Sequence, residues 1–356
     1  MRFPPTRLLV VFVSLITWGV PAAWSADVPA ASARAHNWLV SQIRPTGLID
    51  SYEDRADVCY AYDQAVGAIA LLARGDGANA RRILNAMAAM QNDDGSWYHA
   101  YSCKNLGVLS TSRYTGAVAW VVLAMAQYEA VTGDDVTYDI SARRGLNWML
   151  LWLQADGGIN GGMDSSGVPI QWASTEHNED ALNGLRHFAY SEHSSVRTFV
   201  DSVYNVSQQR WNQGRNDTVN PLDVNPLGVL AVGATGKYEY WRSLDYALRT
   251  HRSLQSVKRG RLRLTVDGFD FNADRNDIWF EGTAQMVASL RSVGRAADSD
   301  YFLQQIILAQ QNNGGIPYSL KGTNNGDFTM STNSSVAATG WFVIAAQNLN
   351  PLQAGD

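Results

Sequence analysis

The sequence lacks several features that would place it at once in a common protein class. Only two of its 356 residues are cysteines, and 17% are charged. Beyond the first 25 residues, no stretch approaches the roughly 20 consecutive apolar residues that a membrane-spanning helix needs. Histidine and cysteine do not cluster with the spacing of a zinc site. We therefore predict neither a membrane-embedded protein nor a zinc protein.

The N-terminal segment predicts export. Arg2 and Arg7 form a short basic region, residues 8–20 are apolar, and small side chains follow near residue 25. This arrangement is typical of a secretory signal peptide. We predict a signal peptide at 1–25 and a single domain at 26–356, in a periplasmic or extracellular protein. A retained N-terminal anchor is the alternative.

The net charge limits the partners. The chain carries a formal net charge of -5, and loss of Arg2 and Arg7 would make it more acidic. An acidic chain is a poor partner for nucleic acid or an anionic membrane. Its 12 tryptophans suit a surface that binds carbohydrate, although aromatic rings fill cores equally well. We predict a monomer that acts on a carbohydrate substrate without a cofactor.

The two cysteines, Cys59 and Cys103, lie near the polar ends of predicted helical hairpins. An oxidising compartment permits a disulfide between them. The sequence leaves two alternatives open, a bridge and a pair of buried thiols.

Apolar residues recur with helical spacing along almost the whole chain. Glycines at 75, 133, 236 and 294 follow predicted helix ends, as C-terminal caps do. Only residues 261–266 alternate as a strand would. The predicted helices span residues 31–44, 57–74, 77–91, 111–132, 138–154, 174–190, 194–212, 223–235, 238–253, 277–293, 297–311 and 333–348.

The helices alternate between two kinds. Residues 116–126 are apolar on every side, which is typical of a buried helix, whereas residues 142–152 carry a polar edge. Six times a polar cluster opens an apolar helix, and an amphipathic helix follows. Six such hairpins bury their apolar faces when they stack and close into a ring, with an open superhelix as the alternative. The clusters begin at Asp57, Thr111, Ser174, Leu222, Asp277 and Thr332.

A second repeat follows the amphipathic helices, where a glutamine precedes a glycine turn at 91–97, 154–159 and 311–316. In this pattern the chain resembles the (α/α)6 toroid proteins, which include the six-hairpin glycosidases, polysaccharide lyases and terpenoid cyclases. Segment 91–97 resembles the repeat of squalene-type cyclases, but their aspartate-rich catalytic box is absent. Segments 279–285 and 337–342 resemble exported bacterial toroid enzymes that act on glycans. The resemblance implies an all-α (α/α)6 toroid of the six-hairpin glycosidase kind.

In a closed ring the apolar helices run parallel, so their polar N-termini meet at one end. Free backbone N–H groups and helix dipoles favour carboxylates there. Glycoside hydrolysis needs one carboxyl that is protonated and one that is ionised. We predict Glu281 as the acid, because Trp279 and Phe280 would raise its pKa and Gly282 leaves room for a substrate. Gln285 lies one turn further along the same face.

Two other openings carry acid groups that a helix cap does not require. Glu176 and Asp180 share a helix face, with His177 beside them in the sequence. Asp63 lies in an otherwise apolar helix, so it needs a partner or a cavity, and Arg113 is one candidate partner. We predict Glu176 or Asp63 as the base, with a structural Asp63–Arg113 pair as the alternative.

Aromatic rings near the openings are candidates for stacking on sugars. They are Trp97, Tyr114, Trp172 and Trp279, and ordinary packing is the alternative for each. Oxygen-bearing side chains between Asp270 and Glu281 resemble a calcium loop. Arg275 occupies the position where the sharp turn of such a loop needs glycine, so we predict no metal.

Together these residues favour a secreted glycoside hydrolase that cuts a polysaccharide or oligosaccharide with inversion. The alternative is a lyase or epimerase acting on uronic acids. It would use His177 or a tyrosine as base, and Arg113 and Asn178 would neutralise the substrate carboxylate. The acidic openings favour a neutral substrate. A non-catalytic glycan-binding protein, the third hypothesis, would need the rings without a working carboxyl pair.

Overall fold

The helices form an inner and an outer ring. The computed structural model describes residues 27–55, 57–324 and 329–355. Each inner helix packs against the next, and the ring closes because the last packs against the first. The inner helices are α2 (Ala61–Ala73), α4 (Thr115–Thr132), α6 (Thr175–His187), α8 (Val224–Val232), α10 (Phe280–Ser292) and α12 (Val336–Ala346).

The outer helices cover the inner ring. They are α1 (Val28–Gln42), α3 (Gly77–Ala89), α5 (Asp139–Leu150), α7 (His193–Ser202), α9 (Arg242–Thr250) and α11 (Ala296–Ala309). From α3 to α11, each packs against the inner helix before it, which gives five predicted hairpins. The sixth joins the two ends of the described chain, because α1 packs against α12. The predicted all-α (α/α)6 toroid and its closure are confirmed.

Short antiparallel strands lie in the connections. They are β1 (Cys59–Tyr60), β2 (Ala100–Tyr101), β3 (Val108–Ser110), β4 (Arg113–Tyr114), β5 (Gly162–Met163), β6 (Pro169–Ile170), β7 (Tyr204–Asn205), β8 (Arg210–Trp211), β9 (Arg252–Arg259), β10 (Leu262–Phe269), β11 (Thr323–Asn324) and β12 (Thr329–Met330). The β9–β10 hairpin pairs Arg252 with Phe269 and confirms the strand predicted at 261–266. Its exposed tip carries the basic residues Lys258, Arg259 and Arg261.

The helix predicted at 194–212 is too long. Helix α7 ends at Ser202, and the chain then forms the β7–β8 hairpin. Tyr204 and Trp211 are opposite each other in that hairpin, with ring centroids 4.9 Å apart. Their spacing of seven residues also fits a helix face, so sequence periodicity does not separate the two structures.

The inner helices are buried because they carry almost no polar face. In α4, residues 118–126 are all buried, as the sequence predicts. Gly133 ends this helix with a φ of 72°, the left-handed conformation of a C-terminal cap. None of the described helices combines the length and apolar character that crossing a membrane requires.

The glycine turn that follows an outer helix docks on a neighbouring outer helix. Gly95, Gly157 and Gly314 follow α3, α5 and α11, and all have positive φ. A Cβ atom on any of them would lie within 2.4 Å of a backbone carbonyl oxygen in α5, α7 or α1. The glutamine and glycine repeat in the sequence therefore marks the turns through which neighbouring outer helices contact each other.

The structure corrects the register of that repeat. Gln91 Nε2 donates to the carbonyl oxygen of Gly95 at 2.8 Å. Gln310 Nε2 makes the same bond to Gly314 at 2.8 Å, so Gln310, and not Gln311, is the equivalent of Gln91. Gln310 lies four residues before Gly314, as Gln91 lies four residues before Gly95, whereas Gln311 lies three residues before Gly314.

Cys59 and Cys103 form a disulfide, with their Cα atoms 5.4 Å apart. Cys59 begins β1, which pairs with β2, and Cys103 follows β2 by two residues. The bridge therefore ties the segment before α2 to the long connection after α3. Of the two alternatives, the structure contains the bridge.

Replacing both cysteines with alanine is expected to lower the free energy of unfolding by about 3 kcal/mol. The bridge closes a loop with a sequence separation of 44, and its loss returns that conformational freedom to the unfolded chain. Denaturant unfolding of the wild type and the double variant would measure the difference. Equal free energies of unfolding would contradict the prediction.

Candidate functional site

The N-terminal ends of five inner helices enclose a cavity of about 460 Å³. The opening of α12 does not contribute, because none of residues 332–336 lines the cavity. The prediction that all six polar clusters meet at one site is therefore wrong for the cluster that opens α12. The cavity is lined by Tyr62, His99, Tyr114, Gly116, Ala117, Trp120, Trp172, Glu176, His177, Asp180, Asp223, Phe271, Trp279, Glu281, Gln285 and Tyr318.

Glu281 lies in the first turn of α10 and is 4% exposed. Tyr62 of α2 donates a hydrogen bond to Glu281 Oε1 at 2.5 Å and accepts one from Trp341 Nε1 at 2.9 Å. Burial raises the pKa of Glu281 to about 8, the Tyr62 bond opposes this, and the negative charges of Asp63 and Asp223 add to it. Glu281 therefore carries a proton at neutral pH.

Three further carboxyl groups line the cavity, Glu176, Asp180 and Asp223. Asp223 caps α8, and its Oδ1 accepts a hydrogen bond from the backbone N–H of Val224 at 2.8 Å. Burial raises the pKa of Asp223 to about 6, against the backbone hydrogen bonds that lower it. Asp223 is therefore ionised at neutral pH.

Glu176 and Asp180 lie on α6, one turn apart. Burial raises the pKa of each carboxyl well above its ordinary value, and the charge of Asp223 acts in the same direction. The indole N–H of Trp120 lowers the pKa of Asp180 without reaching hydrogen-bond geometry. The cavity thus holds neutral carboxyls beside an ionised one.

His177 is held in the wall by close packing. A Cβ atom at Gly116 would lie 2.3 Å from His177 Cδ2, so only glycine allows the imidazole to rest against α4. Its Nδ1 lies 3.3 Å from Thr115 Oγ1, and the half-exposed Trp172 ring packs against its other side. Burial lowers the pKa of His177 to about 4, so it is neutral at physiological pH.

Most of the predicted site residues meet in this cavity. They are Glu281, Glu176, Asp180, His177, Tyr114, Trp172, Trp279 and Gln285. Asp63, Arg113 and Trp97 are not part of the lining. For Trp97 the packing alternative holds, because it is 1% exposed and its Nε1 donates to the carbonyl oxygen of Met87 at 2.7 Å.

The predicted pair of Asp63 and Arg113 is wrong. Arg113 Nη1 forms an ion pair with Asp94 at 2.5 Å. Asp63 is buried beside the Ser51 hydroxyl, and burial raises the pKa of its carboxyl to about 7. Tyr62 takes the lining position, and Asp63, about 100° further round the helix, does not line the cavity although its charge acts on Glu281.

Several lining residues were not singled out from the sequence. They include Tyr62, His99, Trp120, Asp223, Phe271 and Tyr318. Asp223 lies in an opening whose other residues, Leu222, Val224 and Asn225, are uncharged, although its place at a helix N-terminus is a usable signal. His99, Phe271 and Tyr318 come from connections, where no periodicity marks the inward-facing side chain.

The lining is acidic and has no positive partner. Among the described residues, no lysine or arginine side chain lines the cavity. A larger groove of about 860 Å³ lies between the β9–β10 hairpin and residues 311–321, but among its described lining residues only Glu53 carries a carboxyl. In the predicted calcium-like loop, Asp270 binds the backbone N–H groups of Phe271 and Asp277. The smaller cavity is therefore the candidate site for acid–base chemistry.

Comparison with known proteins identifies the fold and no family. No family model matches the chain, and no curated protein matches its sequence. A glycosidase variant solved in complex with glucose superimposes with a TM-score of 0.71 at 11% identity, covering 94% of this chain and 100% of that one. A D-mannose isomerase gives a TM-score of 0.67 at 10% identity, covering 93% and 99%. An alpha-amylase from Clostridium perfringens gives 0.67 at 9%, covering 90% and 97%.

Proposed function

We propose that the protein is a glycoside hydrolase that cuts a polysaccharide or oligosaccharide with inversion at the anomeric carbon. One observation carries the proposal. A closed-ended cavity at the inner-helix N-termini combines a carboxyl that is protonated at neutral pH, Glu281, with one that is ionised, Asp223. The glycosidase and amylase names of similarly folded structures support a carbohydrate substrate.

Glu281 is the proposed general acid. Tyr62 occupies Oε1, so the proton belongs on Oε2, and it passes to the glycosidic oxygen as the bond to the anomeric carbon breaks. The hydrogen bond to Tyr62 also fixes the rotamer of Glu281. Because the buried Trp341 in turn donates to the partly buried Tyr62, the acid is oriented by two aromatic side chains.

Asp223 is the proposed general base. It would take a proton from the water that attacks the anomeric carbon on the face opposite the leaving group. Asp63, one of the two bases predicted from sequence, does not line the cavity. Glu176 lines the cavity but burial and the Asp223 charge favour its neutral form, which suits a hydrogen-bond donor better than a base.

A lyase or epimerase acting on uronic acids would need groups that neutralise the substrate carboxylate, and the two predicted ones are engaged elsewhere. Arg113 is paired with Asp94 outside the lining, and the Asn178 side chain is bonded to the backbone of Ile159, with its Nδ2 3.0 Å from the carbonyl oxygen. A uronic acid carboxylate would meet the ionised Asp223 and no positive side chain among the described lining residues. Coulomb repulsion in a buried site opposes such a substrate.

The test is an activity screen of the purified protein on neutral and uronic-acid glycans. We expect new reducing ends from a neutral glycan, with the first product released in the inverted anomeric form by proton NMR. Retained configuration would overturn the mechanism but not the activity. Products with an unsaturated, ultraviolet-absorbing ring would overturn the hydrolase. Binding without turnover would favour the non-catalytic glycan-binding hypothesis.

We also propose that the protein is exported, to the periplasm or beyond. The predicted signal peptide at 1–25 lies outside the described residues. The Cys59–Cys103 disulfide supports export, because such bridges persist in oxidising compartments.

A further inference from the structure

The cavity has two layers of side chains. Glu176, Glu281 and Gly116 belong to the first turns of α6, α10 and α4. Four residues further along the same helices lie Asp180, Gln285 and Trp120, which also line the cavity. Four residues advance a helix by about 6 Å, so these three form a floor below the proposed catalytic groups.

Each of the three floor residues presents a polar atom that no protein group satisfies. Both carboxyl oxygens of Asp180, Oε1 of Gln285 and Nε1 of Trp120 are buried without a hydrogen-bond partner. The three side chains are 0%, 2% and 1% exposed. Buried polar atoms without partners are rare in folded proteins, so a group of them on one cavity floor points to a ligand.

We infer that the floor formed by Trp120, Asp180 and Gln285 binds the hydroxyl groups of a neutral sugar unit at the end of a glycan. The inference rests on the carbohydrate substrate of the proposed function and does not require hydrolysis. It adds to that function the unit that is recognised and the residues that recognise it.

The unsatisfied atoms of the floor include both hydrogen-bond donors and acceptors, and this determines which class of ligand fits them. The neutral Asp180 carboxyl offers one O–H donor and one acceptor, Gln285 offers an acceptor, and Trp120 offers a donor. A hydroxyl group both donates and accepts, so adjacent sugar hydroxyls satisfy all four atoms. An ammonium group donates only and leaves the indole N–H and the Asp180 O–H unpaired, whereas a carboxylate accepts only and leaves Gln285 Oε1 and the carbonyl oxygen of Asp180 unpaired.

The charge of the cavity disfavours an anionic sugar, and the shape of the cavity limits which unit of a glycan can bind. The negative charge of Asp223 acts on Asp180 and Glu176, so an anionic sugar bound here would add a further like charge in a buried site. Four residues beyond the floor residues of α4 and α10, Ala124 and Ser289 are fully buried and do not line the cavity. The inner ring is filled below the floor, so the unit on the floor is a chain end.

The experiment measures binding of monosaccharides, which the proposed enzyme does not hydrolyse. Glucose, mannose and galactose, with their uronic acids and 2-amino derivatives, would be titrated into the wild type, Asp180→Ala and Glu179→Ala by calorimetry. Glu179 is the matched control, because it is equally buried on α6, also lacks hydrogen-bond partners and does not line the cavity.

We expect at least one neutral hexose to bind, with Asp180→Ala weakening it by about 10-fold to 100-fold and Glu179→Ala by less than about 2-fold. The matching uronic acid should bind at least about 10-fold more weakly than the hexose. Unchanged binding in Asp180→Ala, equal affinity for the uronic acid, tightest binding of the amino sugar, or no hexose binding would each overturn the inference.

Two further measurements keep the result interpretable. If Asp180→Ala does not fold, single-deoxy analogues of the bound hexose titrated into the wild type replace it, and equal affinity of all analogues overturns the inference. The hydrolysis screen is interpreted separately. If the wild type cleaves a glycan but Asp180→Ala binds the hexose with unchanged affinity, the floor assignment alone is wrong. If the hexose binds and no glycan is cleaved, the hydrolase proposal alone is wrong.

Discussion

Replacing Glu281 with glutamine is expected to reduce the rate of glycan hydrolysis by about 100-fold to 10,000-fold, the range over which a positioned general acid acts. Glutamine keeps the size of the side chain and its carbonyl oxygen, so the hydrogen bond from Tyr62 survives. The proton that the leaving oxygen needs is lost. Initial rates of reducing-end release from the glycan identified in the screen would measure the effect.

The pH dependence of the hydrolysis rate distinguishes a catalytic role of Glu281 from a structural one. Glu281 acts in its protonated form, so the wild-type rate should fall as the pH rises through about 8, the value to which burial raises its pKa. The residual activity of Glu281→Gln should lack this alkaline limb, because glutamine does not titrate. If Glu281→Gln kept both the wild-type rate and its fall at alkaline pH, Glu281 would not be the general acid.

A matched substitution controls for the loss of a carboxyl as such. Glu129 lies near the C-terminal end of α4, where its Oε2 is 3.2 Å from His187 Nε2. Glu129→Gln should keep the wild-type rate and pH profile. Near-ultraviolet circular dichroism of both variants would show whether the packing of the aromatic rings is retained.

The largest effect on stability is expected at Gly157. Alanine there would strain a φ of 86° and place its Cβ 2.1 Å from the carbonyl oxygen of Ser195 on α7. Left-handed backbone costs about 1–2 kcal/mol in an L-residue, and overpacking adds about 1–3 kcal/mol. We therefore expect Gly157→Ala to lower the free energy of unfolding by about 2–5 kcal/mol, measured by urea denaturation.

Gly75 provides the control for the backbone strain alone. It has a φ of 77° and nothing within 4 Å of the position that a Cβ would occupy. Gly75→Ala should cost about 1–2 kcal/mol, the strain without the clash. If the two alanine variants lost the same stability, the contact between the turn and α7 would not hold the outer ring together as we describe.

The predicted helices show how much of the secondary structure follows from the spacing of apolar residues. Every described helix overlaps a predicted one, because burial of one face imposes a helical spacing on apolar residues. The boundaries are less certain, as α7 shows. Tyr204 and Trp211 are apolar and seven residues apart, and a helix face and a two-strand pair satisfy that spacing equally.

The site was predictable where a helix register alone decides which way a side chain points. Glu281 and Gln285, or Glu176 and Asp180, are four residues apart and reach the cavity together. Asp63 shows the limit of this reasoning. Its acidity in an apolar helix was visible, but its neighbour Tyr62 takes the lining position, and Asp63, about 100° further round the helix, does not line the cavity.

By itself, the sequence determined the ring of helical hairpins and the concentration of acid at its openings. These features follow from local spacing, which each segment carries without reference to the others. Only the tertiary structure decided that Tyr62 orients Glu281, that Asp223 joins the carboxyl cluster and that Cys59 is bridged to Cys103. Each of these depends on distances between residues far apart in the chain, and those distances are set when the ring closes.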